Sequence, residues 1–462
     1  MGRNRRDRRR LLPLLAAVWL LGAGPAGPLD TGWTVGRAVP IAVRGGRGRL
    51  RVPTPTSADR VMLVISVLGR GQGPYRGWLR VRPCDGSPPA PAGEPHPAAR
   101  PDAPAPIPTE PIEVRSVPPS AKVFHVLGPG GDVAKATSYD PVPSTLRALG
   151  RRVQVYVDDA DLGRVVPSTL RDLVQTFDDR VYPVSAREVG TAADVDGDGR
   201  FTLLLTSRLA TLGGGRLAAE GCVRGADLDP EVAPPLGNRC DMMYLNALTT
   251  DLPHLRTVVA HEYSHAVMFT RKTLADPPVE EEGWIDEGVA HLAEDRHGFS
   301  RSNIEGRVAA FLGATGRYRL VVEDYHAADL YRSPGHRGST YSFLRWCADR
   351  RGPGFVRVLV GSRLRGVSNV EAAMGEHFPE LYRGWTASLT CAPGLRPIHV
   401  LPGGLPEPWS LVGTSSAYVL IESSASGHLD IEVEGSSSAE LQLTAIRLGP
   451  TMKTAPPAGP GG

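Results

Sequence analysis

The sequence predicts an α+β protein with a β-rich first half and a helical second half. Short apolar runs separated by Gly and Pro dominate before residue 253, helical periodicity dominates from Pro253 to about Trp385, and strand patterns return from about residue 396. With 462 residues, of which 41% are apolar and 22% charged, the chain can form two or three folded units with a sizeable core.

Composition divides the chain into six segments. Residues 1–26 carry six arginines before an apolar run that is too short to span a bilayer, which predicts a signal peptide and export to the periplasm, cell surface or medium. Residues 27–85 predict a small β module, and the proline-rich residues 86–119 predict a linker. The predicted main domain spans 120–392, a C-terminal β module 393–450, and a flexible tail 451–462.

The individual elements follow from the spacing of apolar residues. Residues 153–157 alternate and predict a strand, and residues 170–177 then repeat at helical spacing. Residues 201–206 (FTLLLT) and 241–247 (DMMYLNA) predict two more strands, the second at the edge of a sheet. Residues 429–433 alternate within the C-terminal β module.

The net charge of +3 does not indicate a nucleic-acid partner. Residues 1–26 hold a local charge of +5, which leaves −2 for the rest of the chain. A near-neutral body offers no field for nucleic acid or anionic lipid, and no stable membrane span is predicted. The oligomeric state stays open.

The five cysteines are interpreted in an oxidising compartment because export is predicted. Cys222 and Cys240 flank a turn-rich loop and are the first candidate disulfide, and Cys347 with Cys391 is the second, which leaves Cys84 unpaired. Connectivity cannot be deduced from spacing, so five free thiols remain the alternative.

A metal-binding pattern occupies residues 254–270. His261, Glu262 and His265 form an H-E-x-x-H motif in an apolar, helix-compatible stretch, so both imidazoles project from one helix face and can bind one Zn²⁺, with the glutamate beside the metal-bound water. About twenty residues downstream, WIDEGVAHLAED begins a second helix and carries Glu287 where a third ligand is required. The alternative is a pair of hydrogen-bonded core histidines.

The segments AHEYSHAV and WIDEGVAHLAED resemble the gluzincin metallopeptidases, most closely the secreted hyicolysin-like family, over roughly residues 120–390. The resemblance implies a two-lobed domain with a β-rich N-terminal lobe and a helical C-terminal lobe. It implies that the two motif histidines and Glu287 hold zinc and that Glu262 is the general base. Asp286 stands where this family often has Asn.

The same resemblance implies a catalytic role for Tyr341, as a donor to the oxyanion of the reaction. His336 is its rival, and a packing role for the tyrosine is the alternative. One of His291, Glu294 and Asp295 could hydrogen-bond a zinc-binding imidazole, although a solvated helix face is the preferred interpretation of these three residues.

A second metal is a further candidate. Asp194, Asp196 and Asp198 stand at positions 1, 3 and 5 of a loop with Gly at position 6, like the start of an EF-hand. Leu205 at position 12 and the following strand exclude a complete EF-hand. The sequence therefore predicts a calcium loop at a strand edge, with an Asp-rich turn as the alternative.

These patterns predict an exported zinc endopeptidase that acts on proteins or peptides, with residues 241–247 pairing with an extended substrate. A gluzincin aminopeptidase is one alternative, but the G-x-M-E-N type segment of those enzymes is absent. A surface-binding or adhesion protein with a catalytically silent scaffold is the other, and the intact Glu262 argues against it.

Overall fold

The computed structural model describes residues 33–54, 60–84, 117–216, 218–422 and 427–448. The predicted signal peptide, the predicted tail and most of the predicted linker lie outside these residues.

The described residues contain sixteen strands and ten α-helices. In chain order the strands are β1 (Ala38–Ile41), β2 (Val43–Arg44), β3 (Arg47–Thr54), β4 (Arg60–Val67), β5 (Tyr75–Cys84), β6 (Ala121–Leu127), β7 (Tyr139–Leu149), β8 (Val153–Asp158), β9 (Phe201–Thr206), β10 (Gly221–Cys222), β11 (Met242–Asn246), β12 (Ile398–Val400), β13 (Glu407–Leu411), β14 (Ser415–Glu422), β15 (Gly427–Gly435) and β16 (Leu441–Leu448). The helices are α1 (Pro167–Thr176), α2 (Tyr182–Glu188), α3 (Gly225–Leu228), α4 (Leu252–Met268), α5 (Gly283–His297), α6 (Ser302–Gly313), α7 (Pro334–Arg351), α8 (Phe355–Gly361), α9 (Gly366–Met374) and α10 (Phe378–Ser388).

Strands from both ends of the chain form one β-sandwich. One sheet has the order β1-β16-β4-β14-β12, and the other has the order β13-β5-β15-β3-β2. The N-terminal strand β4 lies between β14 and β16, and the C-terminal strand β15 lies between β3 and β5. The structure therefore differs from the two separate β modules that the sequence predicts. The apolar residues of the two sets of strands pack in one shared core.

A mixed six-stranded sheet with the order β10-β11-β9-β8-β7-β6 forms the middle of the molecule. Strands β8, β9 and β11 are parallel, and β6, β7 and β10 run antiparallel to their neighbours. The valines of β8 face the main helical core, whereas Tyr156 faces a smaller core on the other side of the sheet. The prediction that residues 241–247 form the edge is wrong, because β10 pairs with β11 on its outer side.

Helices α4 to α10 pack into the main core together with one face of the central sheet. The sandwich joins the same core through its first sheet, for example through Tyr418, whose hydroxyl donates to the carbonyl of Thr386 at 2.8 Å. The mixed arrangement of sheets and helices is consistent with the predicted α+β class. Among the described helices, none combines the length and the apolar character that crossing a membrane requires.

Candidate metal centre

The candidate centre is built on α4, which carries His261, Glu262 and His265. Asp251 caps the start of this helix by accepting a hydrogen bond from the backbone N–H of His254. The two motif histidines project from one face, and their Nε2 atoms lie 3.2 Å apart. Because α4 lies between β11 and α5, its polar side chains are buried and require partners.

Helix α5 supplies the third group, Glu287. Its Oε2 lies 3.5 Å from Nε2 of His261, and the ligand atoms of His261, His265 and Glu287 all lie within 4.8 Å of one another. The Oε2 atom is buried and has no hydrogen-bond partner among the described residues. Tetrahedral zinc, with bonds of about 2.0–2.1 Å, holds its ligand atoms about 3.3–3.4 Å apart. The separations and the unpartnered oxygen therefore fit a cation between the three side chains.

Each imidazole also meets a carboxylate of α5 on its far side. Oε1 of Glu294 lies 2.7 Å from Nδ1 of His261 and makes a hydrogen bond. Oδ1 of Asp286 lies 3.0 Å from Nδ1 of His265, as an ion-pair contact whose angles fall outside hydrogen-bond geometry. A carboxylate at Nδ1 favours the tautomer whose Nε2 is free to bind a metal.

The charges at the centre favour metal ligation by Glu287. Burial acts to raise the pKa of Glu287, but the guanidinium of Arg337 holds this pKa well below its usual range. Burial likewise acts to lower the pKa of His265, whereas Asp286 and Glu287 raise it to about 10. Glu287 is thus ionised at neutral pH, and His265 has to lose a proton before it binds a metal.

Sequence reasoning missed Arg337, whose Nη2 donates to Oε1 of Glu287 at 2.6 Å. The arginine lies on α7, fifty residues along the chain, and no local spacing connects the two positions. The close packing of α5 on α7 depends on Gly288, where a Cβ would lie 2.4 Å from Cδ1 of Leu344 and 2.8 Å from Cγ2 of Thr340. In the sequence, the glycine directly after Glu287 was the available sign that another helix packs closely at this position.

Glu262 is buried beside the two histidines, and burial raises the pKa of its carboxyl group. Strand β10 packs directly against it, since a Cβ on Gly221 would lie 3.0 Å from Cγ of Glu262. The edge of the central sheet and this carboxylate therefore share one wall of the centre.

Tyr341 and His336 both lie on α7, and neither makes a hydrogen bond or ion pair with the three ligand side chains in the described part of the chain. Burial and an interaction with Asp295 raise the pKa of Tyr341. Asp295 also pairs with Arg301 at 2.7 Å. Nδ1 of His336 lies 2.7 Å from Oγ of Ser333, and burial lowers the pKa of this imidazole to about 4. The catalytic role of Tyr341 stays a prediction.

His291 and Glu294 are 0% and 2% exposed, so the interpretation of these two residues as a solvated helix face is wrong. Oε1 of Glu294 lies 2.8 Å from Nδ1 of His291 and 3.4 Å from Nη1 of Arg307. Burial and Arg307 lower the pKa of His291 to about 3, so this imidazole is neutral at pH 7. Burial opposes the charge on Glu294, but its contacts with His291 and His261 lower its pKa and keep it ionised.

The acidic loop before β9 assembles differently from the predicted set. Carboxylate oxygens of Asp194 and Asp196 lie within 4.8 Å of Asp241, a buried residue that the sequence analysis did not consider. Asp198 instead accepts hydrogen bonds of 2.7 and 2.8 Å from neighbouring N–H groups. Nζ of Lys122 lies 3.2 Å from Asp196 and supplies a positive charge. Calcium binding at this loop stays a prediction.

Cys222, Cys240, Cys347 and Cys391 are free thiols in the described part of the chain, so both predicted disulfides are wrong. Cys222 pairs with Tyr244 across the two strands. Tyr244 is four residues beyond Cys240 in the chain, so Cys240 lies about 13 Å along the strand from the position opposite Cys222. A disulfide requires Cα atoms within about 7 Å. Cys347 is buried in α7, whereas Cys391 is exposed in the turn that follows α10.

Comparison with known proteins identifies a distant metalloprotease relative. The chain is 23% identical over 183 residues to the neutral metalloprotease ShpI of Staphylococcus hyicus. The match covers 37% of this chain and 39% of that protein, so the chain spans about two fifths of the length of the curated relative. No protein-family model matches the chain.

Proposed function

We propose that the chain is an exported, zinc-dependent metallopeptidase of the gluzincin type that cleaves protein or peptide substrates internally. The observation that carries the proposal is the convergence of ligand atoms from His261, His265 and Glu287 around a buried, unpartnered carboxylate oxygen. The similarity to a neutral metalloprotease supports the same reaction class. Export rests on the sequence pattern of residues 1–26 alone.

In this proposal the three ligand side chains hold the metal and Glu262 handles protons. Zinc at this position would supply Lewis-acid chemistry and lower the pKa of a water molecule towards 7. Glu262 takes a proton from the attacking water and delivers it to the leaving amine. Its pKa is raised by burial, which suits a group that holds the proton between these two steps. Glu294 and Asp286 keep the two imidazoles oriented.

The proposed substrate position is the edge of the central sheet beside α4. Within the described residues, β10 pairs only with β11, so its outer edge is open to an extended peptide. Gly221 of this strand packs against Glu262, which places an edge-bound backbone close to the proposed base. An open edge accepts a chain that continues in both directions, which favours an endopeptidase over an aminopeptidase.

The test compares zinc content and casein cleavage in the wild-type protein, Glu262→Gln, Glu287→Ala and the control Glu305→Gln. Glu262→Gln keeps all three ligands, so about one zinc should remain while hydrolysis falls about 10²–10⁴-fold. Glu287→Ala removes a ligand, so zinc content and activity should fall together. Glu305 is an exposed residue of α6, and its replacement should change neither quantity.

Absence of transition metal in the purified protein, together with no chelator-sensitive cleavage of casein, would overturn the proposal and favour the adhesion alternative. Release of single N-terminal residues without internal cleavage would favour the aminopeptidase. Full zinc content in Glu287→Ala would mean that the third ligand is another residue.

A further inference from the structure

The β-sandwich presents a positively charged face that plays no part in the candidate metal centre. Its first sheet packs on the helical core, so the outer face of the second sheet, β13-β5-β15-β3-β2, points away from that core. Strand alternation and register place ten charged side chains and one tryptophan on this outer face, which we call the arginine face. They are Arg44, Arg47, Arg49, Arg51, Arg76, Arg80, Arg82, Asp430, Glu432, Glu434 and Trp78.

The arginine face has more positive than negative groups. The arginine face carries seven arginines and three carboxylates, whereas the chain beyond residue 26 has a net charge of −2. Each carboxylate of β15 already pairs with an arginine of β3, at 2.8, 3.0 and 2.8 Å. On β5, Arg80 has only a 3.7 Å contact with Glu432, and Arg76 and Arg82 have no ion pair within the described residues. The positive charge of β5 is therefore available to an external anion.

Trp78 stands in the middle of this positive strand. It is 56% exposed and lies between Pro408 and Glu434 in one cross-strand row. A groove of about 570 Å³ beside it is lined by Arg76, Ser410 and Glu434, among others. An exposed indole next to the guanidinium groups of β5 combines a flat apolar surface with planar donors, each of which can bind a carboxylate or sulfate through two hydrogen bonds.

Two glycines, Gly77 and Gly435, line the groove and lie against Trp409. A Cβ on Gly77 would lie 2.3 Å from Cζ2 of Trp409, and one on Gly435 would lie 2.6 Å from the same atom. The buried Trp409 thus fills the space where two side chains would otherwise stand, and its Nε1 has no hydrogen-bond partner within the described parts of the chain. The indole of Trp78 remains on the outer surface above this layer.

We propose that the arginine face binds an anionic polysaccharide, with a sugar ring stacked on Trp78 and its carboxylate or sulfate groups bound by Arg76, Arg80 and Arg82. Charge complementarity argues for a polyanion, because Arg76, Arg80 and Arg82 lie on the same face of one strand as Trp78, and Arg76 and Arg82 have no ion pair within the described residues. A single exposed indole fits one sugar ring better than a run of bases, which needs several stacking side chains. Among the described residues of this face, no other large apolar side chain is exposed to enter a lipid surface.

The test measures binding of the purified full chain to polygalacturonate, with neutral dextran and phosphatidylglycerol vesicles as comparison probes. Polygalacturonate should bind, more weakly as salt is raised, and the other two probes should not. Trp78→Ala should weaken binding by about 2- to 13-fold, since an aromatic contact contributes about 0.5–1.5 kcal/mol. The double variant Arg76→Ser/Arg82→Ser should weaken binding and reduce its salt dependence. Arg147→Ser, an exposed arginine of β7, is the matched control and should bind like the wild type.

Thermal unfolding of each variant confirms that it is folded, and none of these residues belongs to the candidate metal centre. Binding of dextran as tight as that of polygalacturonate would overturn the role of charge. Binding of vesicles in preference to the glycan would overturn the choice of ligand. Absence of polygalacturonate binding, or an equal loss in Arg147→Ser and in the arginine-face variants, would overturn the proposal as a whole.

Discussion

Replacing Glu294 should weaken zinc binding although this residue is not a proposed ligand. Its Oε1 accepts from Nδ1 of His261 at 2.7 Å and contacts Nδ1 of His291 at 2.8 Å. Glu294→Gln removes the charge but keeps the shape, and Glu294→Ala removes both. His261, His265 and Glu287 stay in place in either variant, so a change in zinc affinity reports how the first imidazole is held.

The magnitude follows from the contact with His261. A hydrogen bond to a charged group contributes about 1.5–3 kcal/mol, and a neutral one contributes roughly half as much. The loss of such a partner behind a metal ligand costs about 10–100-fold in metal affinity. We therefore expect a zinc Kd raised about tenfold in Glu294→Gln and up to about 100-fold in Glu294→Ala. The metal-free variants should also be less stable, because Arg307 loses a buried carboxylate.

Zinc Kd is measured by competition with a chelator, at a temperature where thermal unfolding shows each metal-free variant to be folded. Glu305→Gln on α6 is the matched control, since it removes an exposed carboxylate whose closest positive partner is 3.8 Å away. Wild-type zinc affinity in Glu294→Ala would refute the reasoning. So would an equal loss of affinity in Glu305→Gln, because the effect would then be one of net charge rather than of the bond to His261.

Three further outcomes are expected. Zinc binding at pH 7 should release protons, since the pKa of His265 is raised to about 10. In the metal-free protein, this raised pKa contributes to the free energy of unfolding. The contribution is complete below about pH 6.5 and is lost as the pH rises towards 10. Calorimetry in two buffers of different ionisation enthalpy measures the release, and a value near zero would contradict it. Thiol titration of the denatured, unreduced protein should give at least four free thiols, from Cys222, Cys240, Cys347 and Cys391, whereas a smaller number would mean that disulfides form. Glu281→Gln should lower the free energy of unfolding by about 3–5 kcal/mol, because it removes the carboxylate that pairs with the fully buried ammonium of Lys272. Denaturant titration measures the change, and Glu280→Gln, at an exposed position, is the control.

The sequence alone determined the parts of this protein that depend on local spacing. The period of the helix puts His261 and His265 on one face, and the alternation of residues 153–157 and 429–433 gives strands with one apolar face. The structure brings Glu287 to these histidines, as the resemblance to gluzincins implies. The spacing of the histidines and the alternation of the strands are each encoded within a few turns of helix or one strand, so a pattern in the chain is sufficient to find them, whereas Glu287 was found through the resemblance.

Only the tertiary structure decided which distant residues meet. Arg337 reaches Glu287 because α7 packs closely on Gly288, and Asp241 joins the acidic loop because β11 lies beside β9. The strands of the two predicted β modules pair with one another around one shared core, and Cys222 and Cys240 are kept apart by the register of β10 on β11. Spacing along the chain does not contain these contacts, because they result from burying the apolar surface of elements that are far apart in the sequence.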